Sequence, residues 1–391
     1  MRRGSKQAFF DRQQKIYSLI TPHHLRVNAV TPLTFSIHRS SSQCPAQQRA
    51  AILASPGFGQ HFTDHMVAIQ WARTRGWYDA QVRPYGPITL DPAACVFHYA
   101  QEIFEGIKLY RHGDGSIWTF RPQANAQRFI RSAQRLALPS LPPELFLQSL
   151  RELAQIDNAW VPAIKESSLY CRPFMIATEA FLGVRAANEA QFYVIASPSG
   201  PYFERGLAPV AIWISREYSR ASKGGTGAAK CGGNYAASLL PQQRAKAQGC
   251  SQVLFLDSVH GRYLEELGGM NLFLVYRDGR LVTPALSGSI LEGITRDSLL
   301  VLAKQRGLDV QERPLDIDDV LKDYASGEIS ELFACGTAAV ITPIGQLKNE
   351  TCCVGDLSLP PGPVTCALRQ ELTDIQYARR PDHHGWMVRL A

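Results

Sequence analysis

Apolar residues recur along the chain in two periods. Between residues 125 and 138 the run NAQRFIRSAQRLAL places Phe129, Ala133 and Leu136 at i, i+4 and i+7, the spacing of one helical face. The run PELFLQSLRELAQID behind it predicts a second helix. NYAASLLPQQRAKAQG and GITRDSLLVLAKQRG predict two more, each ending at a glycine suited to a C-cap. Shorter apolar runs bounded by turn residues predict strands. These are AQVRPYGPITL and SIWTF in the first half, QFYVIASPSGPYF in the middle, and VAIWISREY, QVLFLDS and MNLFLVYRDGRLVTP beyond it. Strands and helices alternate in both halves, so the pattern predicts an α/β or mixed α+β fold. The Ser/Pro/Gly connector closing the middle strand marks the domain boundary, and no internal repeat is present.

Length and composition narrow the class. The 391 residues suit two to three domains, and 45% hydrophobic with 19% charged residues is the make-up of a globular chain. Disorder, collagen and coiled coil are excluded. No apolar run reaches the ~18 residues of a membrane span, and the N-terminus lacks a signal-peptide apolar block, so a soluble protein is expected. The net charge is +7. Eight Lys and Arg face only Asp11 within residues 1–50, so that segment carries the whole excess and the other 341 residues sum to zero. A neutral body offers no polyanion surface, which argues against a nucleic-acid partner. The Arg-rich leader reads as a loosely ordered extension, with an organelle transit peptide as the lesser alternative to a cytoplasmic chain. Nine cysteines without CxxC spacing read as free thiols in a reducing compartment.

Four segments carry candidate chemistry. In GGTGAAKCGGNYAAS, Lys230 stands between glycine pairs just before a helix, where it can bind phosphate or form a Schiff base. The segment fails the GxxxxGK[ST] pattern, and a flexible surface loop competes with the chemical reading. In GITRDSLL, Gly293 and Thr295 open a helix; Thr295 can cap it, and the start of a helix can bind phosphate. CGTAAVITP offers a Gly-Thr turn behind the strand ISELFA, with the Thr337 hydroxyl and Gly336 amide exposed to a ligand. RYLEELGGMNLF sets two carboxylates before a strand, where one can hold a protonated ring nitrogen or simply sit in a solvated turn. A lysine, a carboxylate and two phosphate-type turns suit pyridoxal phosphate, and other assemblies remain open. HFTDHM pairs His61 with His65, but no third ligand is near in sequence, so no metal site is expected.

The chain resembles the branched-chain amino-acid aminotransferases, pyridoxal-phosphate enzymes of fold-type IV. The segments that carry the resemblance are PGFGQHFTDHM, HYAQEIFEGIKLYR, NAQRFIRSAQRL, LYCRPFMIATEAFLGV, SPSGPYF, GGTGAAKCGGNYAASLL, EELGGMNLF, GSILEGITRDSLL and FACGTAAVITP. They follow one another in family order from about residue 52 to HHGWM near the end. EELGGMNLF and HHGWM are closer to actinobacterial than to animal members. The resemblance implies a small α/β domain over residues 51–199, an interdomain loop over 200–210 and a larger domain over 211–391, behind the extension 1–50. It also implies a homodimer and reversible transfer of the amino group of leucine, isoleucine or valine to 2-oxoglutarate.

Residue roles follow from the same resemblance. Lys230 would hold the cofactor's aldehyde and then move the proton. Glu266, with Glu265 as its rival in register, would face the pyridine nitrogen. Tyr235 would bond the phenolic oxygen, and Arg128, the Ile294 amide, Thr295 and Thr337 would hold the phosphate. Phe58, Phe104 and Tyr202, with Tyr99, Leu182 and Val184 across a dimer interface, would bury the aliphatic side chain at ~0.8 kcal/mol per CH₂. Arg172 and Tyr170 would take glutamate's distal carboxylate, and the Thr337–Ala338 turn the α-carboxylate. The Cys-x-x-Cys of animal members is replaced here by Ala339 and Thr342, so no thiol switch is expected there. Rival readings are a D-amino-acid aminotransferase, an aminodeoxychorismate lyase, or a silent phosphate-binding protein on the same scaffold.

Overall fold

The strand-forming runs assemble into two nine-stranded sheets in the computed structural model, which describes residues 33–200 and 207–391. The first sheet takes β1 (Ser36–Ile37), β2 (His65–Ala72), β3 (Gly76–Pro84), β4 (Glu102–Phe104), β5 (Ile107–Arg111), β6 (Ile117–Phe120), β7 (Ser168–Ala177) and β8 (Glu189–Ser199). The second takes β9 (Val210–Ser215), β10 (Gln252–Leu256), β11 (Leu264–Leu267), β12 (Asn271–Tyr276), β13 (Arg280–Thr283), β14 (Asp309–Glu312), β15 (Ile329–Gly336), β16 (Val340–Lys348) and β17 (Cys353–Gly355). A last strand, β18 (Met387–Arg389), returns to the first sheet and pairs with β6.

The first sheet runs β1-β3-β2-β8-β7-β5-β6-β18 with β4 beside β7, and all its pairs except β1–β3 are antiparallel. The second runs β11-β10-β9-β16-β15-β12-β13-β14 with β17 beside β16, and it mixes parallel and antiparallel pairs. Its central strands are apolar on both faces because both faces are covered. Along β12, Leu272, Leu274 and Tyr276 join one buried cluster while Phe273 and Val275 join another. The second cluster also takes Tyr110 and Phe120 from the first sheet and the helices Ile294–Gln305 and Pro363–Gln376. Full burial on two sides explains why MNLFLVY reads as a continuous apolar run, with no alternation of polar residues.

The four helices read from the sequence are present at Pro122–Arg135, Pro143–Ile156, Gly232–Ala247 and Ile294–Gln305. The first two cover the first sheet through a ring cluster of Phe129, Phe146 and Phe192. Gly249 and Gly307 take φ of +76° and +80° just past their helices, the left-handed C-cap geometry. Glu265 and Glu266 lie buried in β11, where the solvated-turn alternative put them in water.

The expected extension falls mostly outside the described residues. Its last part, residues 33–50, carries β1 and the start of the helix Ala46–Ala54. His65 and Asp64 tie this part down. Buried His65 has its Nδ1 2.7 Å from Asp157 Oδ1, while its Nε2 accepts the Ser40 N–H at 2.9 Å. Asp64 accepts the Cys44 N–H at 2.7 Å. All nine cysteines are free, and among the described residues no helix is long and apolar enough to cross a membrane.

Candidate active site

Lys230 ends the turn before the helix Gly232–Ala247, and hydrogen bonds hold its backbone on both sides. Its N–H donates to Ser132 Oγ at 2.9 Å, and its carbonyl accepts the Phe104 N–H at 2.9 Å. Asn234, on the first turn of the helix, donates to the Thr226 and Ala229 carbonyls at 2.8 Å each, stapling the glycine-rich loop to the helix. The loop is therefore built rather than loose. The side chain reaches into a cleft of ≈ 290 Å³, where Nζ donates to Tyr235 Oη at 2.8 Å and stands 4.9 Å from the centre of the Phe104 ring.

Phe58, Phe104, Tyr170, Arg172, Thr337 and Ala338 line the same cleft, together with Gln252, Met270 and Ala339. Phe58 meets Tyr170 edge to face with ring centres 5.1 Å apart. The Arg172 guanidinium lies 4.7 Å over the Phe104 ring, NH2 donates to Tyr170 Oη at 3.1 Å, and buried Nε has no partner. Gly106 admits this arrangement, since a Cβ there would overlap the Tyr170 hydroxyl.

The two carboxylates of β11 face different neighbours, as alternation along a strand requires. Glu266 Oε1 accepts the Leu291 N–H at 2.7 Å and pairs with Arg220 at 3.0 Å. Burial pushes its carboxyl up to about 7, against the pull of Arg220, the Leu291 amide and Lys230. Glu265 takes the Ser289 hydroxyl, and its other oxygen has no partner. Of these two acids, Glu266 is the one on which the Lys230 charge acts.

Ile294 and Thr295 open the helix Ile294–Gln305, but the cap is Gly293 and no side chain closes it. The capping role open to Thr295 is not taken up, because the residue sits one position inside the helix. Thr295 and Ile294 line a small cavity of ≈ 20 Å³ with Gly106, Asn125, Gly336 and Thr337. Gly106, Gly336 and Thr337 also line the Lys230 cleft, so the two spaces adjoin. Arg128 lies behind, fully buried, and grips Glu105 with Nε and NH2 at 2.7 and 2.8 Å while NH1 donates to the Glu292 carbonyl at 3.1 Å. Those bonds occupy three of a guanidinium's five N–H groups, which leaves two for a further acceptor.

Tyr99, Leu182 and Val184 stand apart from the cleft. Tyr99 bonds the Leu182 carbonyl, and Leu182 and Val184 are 62% and 87% exposed. Tyr202 lies outside the described residues. His61 and His65 do not converge, and no group of three or more metal-type side chains occurs among the described residues.

The sequence reading missed several residues of this site. Glu105 is a charge inside the apolar run IFEGI, a signal for a buried partner, whereas Arg220 and Ser132 carried no signal at all. Lys108 of β5 donates to the Ala338 carbonyl at 2.7 Å, and burial, aided by Arg369, lowers its ammonium to about 8.

Residues 102–347 match the amino-transferase class IV family. The branched-chain-amino-acid aminotransferase of Mycolicibacterium smegmatis is 56% identical over 366 residues, covering 92% of this chain and 99% of that protein. A probable branched-chain-amino-acid aminotransferase of Streptomyces coelicolor is 53% identical over 363 residues, 93% of this chain and 100% of that one. Among solved structures, a T.th. branched-chain amino acid aminotransferase with pyridoxamine 5'-phosphate has a TM-score of 0.69 at 29% identity, covering 83% of this chain and 99% of that chain. The Escherichia coli enzyme has a TM-score of 0.68 at 28% identity, with the same coverage. Family pattern, near-full-length relatives and superposable folds agree: the chain belongs to the class IV aminotransferases.

Proposed function

We infer that this protein is a pyridoxal-phosphate-dependent branched-chain amino-acid aminotransferase. It transfers the amino group of leucine, isoleucine or valine to 2-oxoglutarate, reversibly and in two half-reactions at one site. The observation that carries the reading is a cleft with aromatic walls, Lys230 at one end and a single guanidinium, Arg172, against the Phe104 ring. Apolar walls suit a branched side chain, and the guanidinium suits glutamate's distal carboxylate.

The residues fit the cofactor. Glu266, buried and held near 7, gains from a ring N–H brought beside it. The open helix start at Ile294–Thr295 and Thr337 line one small cavity and would take the phosphate, and Arg128 keeps two N–H groups for a further acceptor. Bound pyridoxal phosphate supplies an aldehyde for the amino group and a ring that accepts electrons released at the substrate's Cα. Lys230 would hold that aldehyde in the resting enzyme, and its Nζ would take the proton from the substrate's Cα and deliver it to the cofactor carbon that had carried the aldehyde. Tyr235 orients Nζ. Arg220 opposes the proton that burial favours on Glu266. The backbone amides of the Thr337–Ala338 turn receive the α-carboxylate.

Lys108 steadies that turn through the Ala338 carbonyl and lends it a positive charge below about pH 8. Above that pH the ammonium deprotonates and the attraction for the α-carboxylate fades. The KM for 4-methyl-2-oxopentanoate should therefore rise about 3- to 10-fold between pH 7 and pH 9.5 in the wild type. In Lys108→Met it should be high throughout; an equal rise in both proteins removes the role.

The exposed apolar side chains of Tyr99, Leu182 and Val184, with Phe97 beside them in sequence, support a homodimer in which a second copy covers them. A cytoplasmic location and domains over 51–199 and 211–391, each built mainly on one sheet with β18 crossing back to the first, complete the reading. Activity with L-leucine and 2-oxoglutarate, and none with D-alanine, tests the function against the D-amino-acid aminotransferase reading. Release of 4-aminobenzoate from aminodeoxychorismate would mark the lyase instead.

A further inference from the structure

Resting on the reading just given, we infer that Glu102 is a positioning and specificity residue: it anchors the backbone that carries Lys230, and it is the resident counter-charge of Arg172.

The anchoring follows from hydrogen bonds. The Glu102 carboxylate accepts the N–H of Gly232, the first residue of the helix behind Lys230. On the same strand, two residues on, the Phe104 N–H bonds the Lys230 carbonyl. β4 thus holds Lys230 from one side while Ser132 holds it from the other. Gly232 leaves room for this contact, since a Cβ there would overlap the Glu102 carboxylate as placed. A carboxylate at a helix's first N–H also complements the helix dipole.

The counter-charge follows from strand register. Glu102 and Phe104 of β4 pair with Ile176 and Phe174 of β7, and Arg172 is the next residue on that face. The guanidinium stacks over Phe104, and Glu102 lies two residues from Phe104 on the same strand. Among the described residues no carboxylate lies within ion-pair distance of Arg172, yet the Arg172 charge pulls the Glu102 carboxyl down against a larger upward push from burial. When leucine fills the cleft, Arg172 has no substrate charge to meet, and Glu102 offsets that cost. When glutamate fills it, Glu102 repels the incoming carboxylate. One residue therefore weights the cleft towards the branched-chain side of the reaction.

Glu102→Gln removes the charge and keeps the acceptor for the Gly232 N–H, whereas Glu102→Ala removes both. The holoenzyme is titrated with two unreactive acids, glutarate and 4-methylpentanoate, and the cofactor absorption band is followed. In Glu102→Gln the ratio of their Kd values should shift about 5- to 10-fold towards glutarate, and the KM ratio of glutamate to leucine should move the same way. In Glu102→Ala, kcat should fall about 10-fold or more, and the pH titration of the lysine-bound cofactor band should shift. Unchanged Kd ratios in Glu102→Gln overturn the counter-charge role. A wild-type kcat and titration in Glu102→Ala overturn the anchoring. If the wild type itself does not transaminate L-leucine, the proposed function fails; a wild type that does, beside variants that shift nothing, refutes this inference alone.

Discussion

Lys230→Ala should abolish transamination, lowering kcat on L-leucine by about 10⁴-fold or more, since one substitution removes both the covalent anchor and the acid–base group. The backbone around it should stay in place. Its hydrogen bonds to Ser132 and Phe104 come from main-chain atoms, which alanine retains. The variant should therefore fold and still bind cofactor through the helix start, Thr337 and Glu266. The check is a visible absorption spectrum of each protein supplied with pyridoxal phosphate, before and after L-leucine. Wild type should show the band of lysine-bound cofactor, and leucine should convert it to the amine form. Lys230→Ala should lack that first band. A wild type indifferent to L-leucine but bleached by a D-amino acid would move the protein to another fold-type IV activity.

The second large effect concerns Arg128. Arg128→Leu leaves the fully buried Glu105 carboxylate without its bidentate partner, and breaking such a pair costs about 3–5 kcal/mol. The pH dependence should also reverse in sign. In the wild type, burial pushes the Glu105 carboxyl up, but Arg128, with Lys230 and Asn125, outweighs it and the net position is below 4.5. That group stabilises the fold above its unfolded pKa, and the contribution is lost as pH falls through the folded one. Without Arg128 burial wins, the folded pKa rises, and stability is lost as pH climbs past the unfolded value. Urea unfolding of the apoprotein should show a larger deficit for Arg128→Leu at pH 8 than at pH 5.5. Arg128→Leu/Glu105→Leu should recover much of the stability and none of the phosphate affinity. A deficit independent of pH would mean that lost packing, not stranded charge, is the cause.

Much of this protein is local and so was legible in one dimension. The helices Pro122–Arg135 and Pro143–Ile156 follow their apolar period, and the glycines that close Gly232–Ala247 and Ile294–Gln305 are where left-handed φ is needed. Lys230 among its glycines, the Gly336–Thr337 turn and the helix start at Ile294 are each a few consecutive residues whose chemistry is complete in the segment. What only the tertiary structure decided are the partners. Glu266 meets Arg220 from 46 positions away, Arg128 meets Glu105 from 23, and Lys108 reaches Ala338 across 230. The same step sent His65 to Asp157, split the acids of β11 between Arg220 and Ser289, and left Leu182 and Val184 in water. Periodicity tells a residue which face of its own element it occupies. Which charge will stand opposite depends on sheet order and on how two sheets share a core, and those are properties of the folded chain alone.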